Sequence, residues 1–586
     1  MKNKYVILLA LTLTFSANAQ KKKPTQQQLN NPTIQQLNFT SASNRMKAYD
    51  QRKALEMKSL VNNVKFRSVG PTVMSGRVVD VDVNNQNPTE FFVAYASGGL
   101  WKTENNGISF SPLFDNEAVM TIGDIAVDWK TKGKTIWIGT GEANSSRSSY
   151  AGVGMYKSED GGKTWQHKGL DETHHIGKVI LHPTDPNTVW VAALGKLYTA
   201  NKERGLFKTS DGGKTWKQTL FVDENTGGVD LSIDPSNPNI LYAGLWHKQR
   251  KSWNFVESGK TTGIYKSNDG GETWQNITGE GSGFPQGEGN GRVGVGISPQ
   301  NPNIVYAVLD NQKNRPDDGK KKVDNALNAK QLRAMTNEQF LALEDNKLTE
   351  YLDEKRFPEK YTAKSLKADV KAGKFQVLDI VKFTENANDD LFDTPITGAE
   401  VYRSDDAGKT WKKTHKDYLD WVFNTYGYYF GTVFVAPDNA DKIVIPGFQI
   451  IKSADGGKTF QSMNADNAHA DHHIVWINPT NSKHQILGND GGINITYDDG
   501  KTWFKANTPA VGQLYAVQVD MAKPYNVYGG LQDNGVWFGP STNKPNYDWY
   551  AEGAYPFKSI MGGDGMQIAV DTRDNQTVYT DRKSVV

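Results

Sequence analysis

One eight-residue pattern recurs along the chain, and it limits the folds open to it. Its clearest copy is Ser158-Glu159-Asp160-Gly161-Gly162-Lys163-Thr164-Trp165. Further clean copies begin at Thr209, Ser267, Ser404, Ser453 and Thr496, and a degenerate one at Thr103 carries Asn105 for Asp and Ser109-Phe110 for Thr-Trp. The fixed acid or amide is therefore Asn105, Asp160, Asp211, Asp269, Asp406, Asp455 or Asp498. An Asp followed by glycines is turn chemistry: the carboxylate accepts backbone N–H groups, and glycine occupies the left-handed positions. Strand-like flanks such as Gly154-Met155-Tyr156-Lys157 and the following aromatic make each copy a stapled hairpin. The aromatic is placed to pack between neighbouring sheets.

These residues resemble the Asp-box (BNR) repeat of β-propellers. The resemblance implies a structural role for the motif, on a face away from the ligand. Around it a four-strand unit recurs. In one unit strand A is Ile176–Leu181, strand B is Val189–Ala193, strand C is Gly205–Lys208, and strand D starts at Trp216. Related A–B pairs start near Gly76, Ile122, Val229, Arg292, Gly431, His472, Leu514 and Met566. Spacings of roughly 40 to 60 residues suit propeller blades, and the 56 glycines suit a turn-rich chain. The expected fold is an all-β propeller with at least eight four-stranded blades. Lys65–Val69 reads as a lone strand D that no visible blade needs, so the ring is expected to remain unclosed.

Domain limits follow from composition. Residues 1–19 read as a secretory signal: Lys2 and Lys4, an apolar run from Tyr5 to Phe15, then Ala17-Asn18-Ala19 before Gln20. That run is too short to span a bilayer. Residues 20–64 are a polar leader with a short helix near 44–60. Blades occupy 65–310 and 397–580, and a charged, helix-favouring insertion, 311–396, interrupts the fifth blade between strands B and C. Its helices are expected at 325–335, 338–355 and 363–372, as a solvated face or docking arm. The terminal Asp581-Arg582-Lys583-Ser584-Val585-Val586 matches a translated sequencing adapter, which predicts a truncated gene. The expected location is exported: periplasmic, outer-surface or secreted. The chain has no cysteine, which excludes disulfides, thiolate chemistry and a lipidated Cys. With 67 basic and 65 acidic residues it has no long-range pull on nucleic acid.

Function is expected where the B–C and D–A loops gather. Those loops carry Arg77, Glu142, Arg147, Tyr150, His175, Trp246, Arg250, Trp253, Trp421, Tyr428, His469, His472, His473, Asp490, Gln532 and Asp533. Aromatic planes beside Arg and carboxylates suit glycans or peptides. Carboxylates open to catalysis are Asp124, Glu142, Asp420, Asp471, Glu552 and Asp564, with Glu142, Asp471 and Asp564 the foremost, but no pair can be placed across a cleft. The His469–His473 stretch suggests a metal, yet strand alternation turns His472 away from its neighbours, and no metal or cofactor is expected. Neither a serine-nucleophile elbow nor a phosphate loop is present.

The span Phe66–Tyr579 resembles sortilin N-terminal (VPS10-like) and bacterial "BNR-repeat glycosyl hydrolase" proteins. The residues carrying this are Val69-Gly70-Pro71, Gly76-Arg77, Gly98-Gly99-Leu100-Trp101-Lys102, Gly139-Thr140-Gly141-Glu142, Asp471-His472-His473, Gly488-Asn489-Asp490-Gly491-Gly492 and Gly529–Gly535. The sortilin likeness implies peptide or protein binding. A more distant resemblance is to the xyloglucan-degrading glycoside hydrolase family 74, whose two propellers face a cleft. That family carries a catalytic Asp-x-Gly-Gly in its first blade, where this chain has Ala96-Ser97-Gly98-Gly99. The Arg-Ile-Pro of Asp-box sialidases is also missing, with Phe66-Arg67-Ser68 in that region. The sequence therefore favours a non-catalytic propeller with a protein, peptide or polysaccharide ligand. The alternatives are a glycoside hydrolase with a carboxylate pair and a cell-envelope or secretion scaffold.

Overall fold

The computed structural model describes residues 39–582, except 72–75, 146–148, 252–253, 317–326, 356, 359, 385–395, 507–508, 510 and 545–554. The signal segment, and with it Arg147, Trp253 and Glu552, lies outside the described residues. Eight four-stranded antiparallel sheets follow one another along the chain. Their inner strands are Val78–Val83, Ile122–Asp128, Ile176–Leu181, Thr226–Ile233, Asn290–Ile297, Phe434–Ala436, His472–Ile477 and Leu514–Val519. A two-stranded sheet, Gly565–Val570 with Val578–Arg582, packs on the eighth.

Seven of these sheets close a ring, which corrects the expectation of an unclosed one. Strand Val78–Val83 packs against His472–Ile477 and Gln485–Asn489. Val78, Val81, Phe91 and Tyr95 share a core there with Ile474, Ile486, Ile493 and Ile495. Every sheet in the ring supplies its own four strands, so closure rests on side-chain packing and not on a shared sheet. The lone segment near Lys65–Val69 lies instead against the eighth sheet. Arg67 Nη2 donates to the Ser541 carbonyl (2.7 Å), and Asn543 Nδ2 donates to the Val69 carbonyl (2.7 Å). The fourth strand of the eighth sheet is Lys558–Met561. The sequence also suggests a D strand for this sheet at Asp548–Glu552, which lies outside the described residues.

Asp-box geometry explains why the pattern stitches blades together. Asp160 Oδ1 accepts the Thr164 N–H (2.9 Å), Oδ2 accepts the Thr164 hydroxyl (2.6 Å), and Ser158 Oγ accepts the Gly162 N–H (2.9 Å). Those hydrogen bonds hold the Asp160 carboxyl down at about 2. The closing Trp reaches back to the preceding blade: Trp165 Nε1 donates to Leu113 O, Trp216 to Lys168 O and Trp503 to Met463 O. A second set of ties lines the central channel. Asp80 accepts the Ile125 N–H (3.0 Å), Asp124 the Val179 N–H (2.7 Å) and Asp230 the Val295 N–H (2.9 Å), each on the next blade's inner strand. Glycine is required where inner strands come this close, since a Cβ on Gly123 would sit 1.9 Å from Ile176 O.

Two additions decorate the ring. Helix Ala42–Glu56 lies across the loops of the first two blades: its first N–H meets Glu172 (2.9 Å), and Arg45 Nη1 donates to Gly152 O (2.5 Å). Lys196 Nζ stands 3.7 Å from the centre of the Phe39 ring. Arg45→Ala is expected to cost about 1.5 kcal/mol, the loss of a charged donor to buried carbonyls, seen as a lower urea midpoint and faster proteolysis before residue 57. Between strands Val305–Asn314 and Ile396–Ser404 stand helices Ala329–Ala334, Asn337–Leu341, Asp345–Glu354, Ala363–Lys371 and Val377–Thr384. These helices bury a core of their own, with Leu332, Phe340, Leu348, Leu366 and Val381 at its centre. The charge pattern alone concealed that core and the last helix.

Candidate functional site

The site is built where the ring closes and the eighth sheet begins. Four loops meet there: the approach to Val78, the B–C loop of the second blade, the two ends of the seventh blade, and the B–C loop of the eighth sheet. Arg77 is the hub. Its Nη1 donates to Glu142 Oε1 (2.5 Å), its Nε to Asp490 Oδ1 (3.1 Å), and its guanidinium lies 4.5 Å from the Tyr429 ring centre. His473 Nε2 shares Asp490 Oδ1 at 2.7 Å and stacks on Phe430. All four of Arg77, Glu142, His473 and Asp490 are buried.

The loops are tied to one another as well. The Asp490 N–H meets Asp471 O (3.2 Å), and Asn534 Nδ2 donates to Asp490 O (3.1 Å). The Asp533 N–H meets Asp564 Oδ1 (3.1 Å), and His469 Nε2 lies 3.3 Å from Asp533 O. Asp471 and Asp533 both hold left-handed backbone, at φ 61° and 59°. Strained, polar-rich turns of this kind gather at binding sites.

Electrostatics divides the carboxyls into two kinds. Burial pushes Asp490 up, but Arg77 and His473 outweigh it and hold the group well below the usual carboxylate range. Burial and then Asp490 push Asp471 up to about 7, and burial with Asp490 and Asp564 pushes Asp533 up to about 8. Near neutral pH the site therefore pairs one fixed ion cluster with carboxyls that keep protons and can donate. A raised carboxyl stabilises the fold fully below the unfolded value near 4, and this contribution is lost as pH rises through about 7 to 8. The urea midpoint should fall between pH 6 and pH 9 in wild type, and fall less in the Asp471→Asn/Asp533→Asn double variant.

Beside this cluster a cavity of about 260 Å³ is lined by Arg77, Ser97, Gly98, Tyr150, Gln513 and Leu514, among others. Tyr150 is 54% exposed at its edge. Ser97, in the turn where a first-blade carboxylate would stand, faces this cavity.

The structure sorts the other sequence candidates. Gln532 joins the cluster through its backbone, its N–H donating to Gln513 O (2.9 Å). His175 is buried, with Nδ1 on Glu142 O (2.8 Å), and burial followed by Lys248 pushes it down to about 3. It supports the Glu142 loop and contacts nothing exposed. His472 is likewise buried and neutral, its N–H on Gly447 O. Trp246 is fully buried with Nε1 on Glu257 O (2.7 Å), and Arg250 is buried over Phe255, so neither offers a surface to a ligand. Tyr428 packs edge-on to Phe255. Trp421 is exposed on a separate loop, and Asp420 pairs with Arg315 (2.5 Å) at the foot of the helical insertion. Asp124 is not a catalytic candidate: Lys178 neutralises it at 2.6 Å inside the channel, where it ties two blades. Among the described residues no group of three His, Asp or Glu is arranged to hold a metal. Tyr429 and Asn534 lie in the loops that the sequence marks, beside Tyr428 and Asp533, but were not singled out there; the structure puts Tyr429 against the Arg77 guanidinium and Asn534 on the Asp490 carbonyl.

Comparison with known proteins agrees with this architecture. The family described as "Sortilin, neurotensin receptor 3" matches residues 153–350, and the BNR/Asp-box repeat matches 402–413. Xyloglucanase Xgh74A of Acetivibrio thermocellus is 29% identical over 136 residues, 19% of this chain and 16% of that protein. Vacuolar protein sorting/targeting protein 10 of Kluyveromyces lactis is 30% identical over 115 residues, 19% of this chain and 7% of that protein. The solved GH74 xyloglucanase from Xanthomonas campestris superposes with a TM-score of 0.53 at 14% identity, covering 88% of this chain and 65% of that one. The chain thus spans under two thirds of these relatives. No described helix is long and apolar enough to cross a membrane. Ring, Asp-boxes and matches together make the chain an Asp-box β-propeller that is similar, over part of its length, to the sortilin family and to GH74 xyloglucanases.

Proposed function

We propose that the chain is an exported, non-catalytic binder of an extended macromolecular ligand, a polysaccharide or a peptide, in the cleft between ring and eighth sheet. One observation carries this reading: Arg77, locked to Asp490, lines a cavity edged by the exposed Tyr150, and Asp471 and Asp533, both pushed up by burial, flank that pair. Protonated carboxyls donate to hydroxyl or carbonyl oxygens, and an exposed aromatic supplies a flat apolar platform. Arg77 and Asp490 spend their charges on each other, which suits an uncharged ligand. The relatives suit the same two ligand classes: some are named xyloglucanases, another a vacuolar protein sorting/targeting protein.

A hydrolase is the second reading, because a carboxyl that titrates at about 8 has the character of a general acid. Against it, the turn Ala96–Gly99 brings no carboxylate to the cavity. The test is a glycan and peptide array with wild type, Asp533→Asn and Asp533→Ala, followed by reducing-end assays on the polysaccharides retained. Retention without new reducing ends, kept in Asp533→Asn, whose amide still donates, and weakened about tenfold in Asp533→Ala (loss of one good hydrogen bond), is the expected result. New reducing ends in wild type that vanish in Asp533→Asn would replace binding by hydrolysis.

A further inference from the structure

Behind the Glu142 loop lies a cluster of positive charge with no role in the reading above. Lys248 follows the long B strand of the fourth blade and is 0% exposed. Its backbone is satisfied: the N–H donates to Asn225 O (3.0 Å), and the carbonyl accepts from Arg204 Nη1 (3.4 Å). Its ammonium has no hydrogen-bond partner. Burial first, and then the positive charges of Arg204, Arg250 and Arg292, push the Lys248 ammonium well below its usual value. The nearby acids act on other groups: Glu257 on Arg250, and Asp310 on Arg292.

One indole carries two of these cations. Lys248 Nζ lies 5.7 Å and the Arg292 guanidinium 5.9 Å from the Trp246 ring centre, and Trp246 is itself 0% exposed. A π face offsets part of one desolvated charge but leaves two cations repelling each other. His175 adds a further nitrogen-bearing ring on the side toward Glu142. Arg204 spends its Nη atoms on the carbonyls of Asn225, Lys196, Thr199 and Lys248, and its Nε is left over. An amine buried in this way needs a partner whether it is charged or neutral. Arginine neighbours cannot accept from it.

We infer that Lys248, with Arg204 and Arg292 around Trp246, forms a binding site for a compact inorganic monoanion of the halide class. The anion accepts from the Lys248 ammonium and lowers the mutual repulsion of the cations, firming the hairpin Gln249–Val256 and the loop that holds His175 and Glu142. This site is separate from the proposed ligand cleft and does not depend on that reading.

Thermal melts of the full chain in chloride against gluconate, at constant ionic strength, test it. Chloride should raise the Tm of wild type by ~3 °C, and Lys248→Met should be insensitive to the exchange. A bromide-soaked crystal of wild type should show an anomalous peak within hydrogen-bond distance of Lys248 Nζ, which serves even if Lys248→Met folds poorly. Equal melts in the two salts and no bromide peak at Lys248 would overturn the assignment. So would a chloride shift of the same size in Lys248→Met, since the anion would then act elsewhere.

Discussion

Arg77→Met is expected to destabilise the chain by about 3–5 kcal/mol, the cost of leaving one side of a buried ion cluster unpaired. The substitution keeps most of the volume but strands Glu142 and Asp490, both buried and both dependent on the guanidinium. His473 remains on Asp490, so that carboxylate retains one partner. Loss of Arg77 also removes the chief cause that holds Asp490 below the usual range, so its folded-state pKa rises. The penalty should therefore be smaller at pH 5 than at pH 8, because protonation relieves the stranded acid. Urea melts of wild type and variant at both pH values check this. A midpoint change worth under about 1 kcal/mol at pH 8 would mean that the cluster behaves as an exposed pair.

Gly141→Ala should be as damaging by a different route. Gly141 holds φ 86°, and a Cβ there would lie 1.7 Å from His174 O and 2.7 Å from Gly152 N. Both neighbours are backbone, so neither yields as a side-chain end would. Left-handed strain alone costs about 1–3 kcal/mol, and the clash adds displacement of the loop that presents Glu142. The expected outcome is a loss of at least about 3 kcal/mol, together with lost ligand retention on the array. Gly161→Ala is the control: it holds a similar φ of 79°, but the nearest atom to its Cβ is 3.9 Å away. It should pay the backbone strain and keep ligand binding.

Blade architecture was legible in the sequence because one hairpin needs several residues at fixed spacing. Every Asp-box from Asn105 to Asp498 closes a C–D turn of a blade in the ring. Ring size was legible too, though the sequence reading did not use it: seven copies stand in seven closed blades, and the eighth sheet, with Gly539-Pro540-Ser541-Thr542 at that turn, has none. The expectation of an unclosed ring came from reading Lys65–Val69 as a strand D without a blade, when the segment lies against the eighth sheet, its partners at 541–543 more than 470 residues away.

The site was half legible. Arg77, Glu142, Asp490 and Asp533 stand out as polar residues in glycine-rich loops, but which of them meet depends on the ring's closing seam, over separations of 65 to 413 residues. Trp246 and Arg250 misled for the opposite reason. Loop composition resembled a binding surface, while Trp246 belongs to the buried strand Leu241–His247 and Arg250, in the strand paired with Phe255–Val256, is buried beside it.

The way the ring closes has a mechanical consequence. Six of its joints are covalently continuous through loops, whereas the joint between the first and seventh blades is held by side-chain packing and by the ion pair of Arg77 with Asp490. It is therefore the clasp of the molecule, and the candidate cleft opens directly onto it. A polymer lying over the Arg77–Asp490 pair would bridge both sides of that clasp, so binding and resistance to unwinding would rise together. For a chain that has no cysteine, and so no disulfide to hold it shut, such a ligand would itself become the fastening.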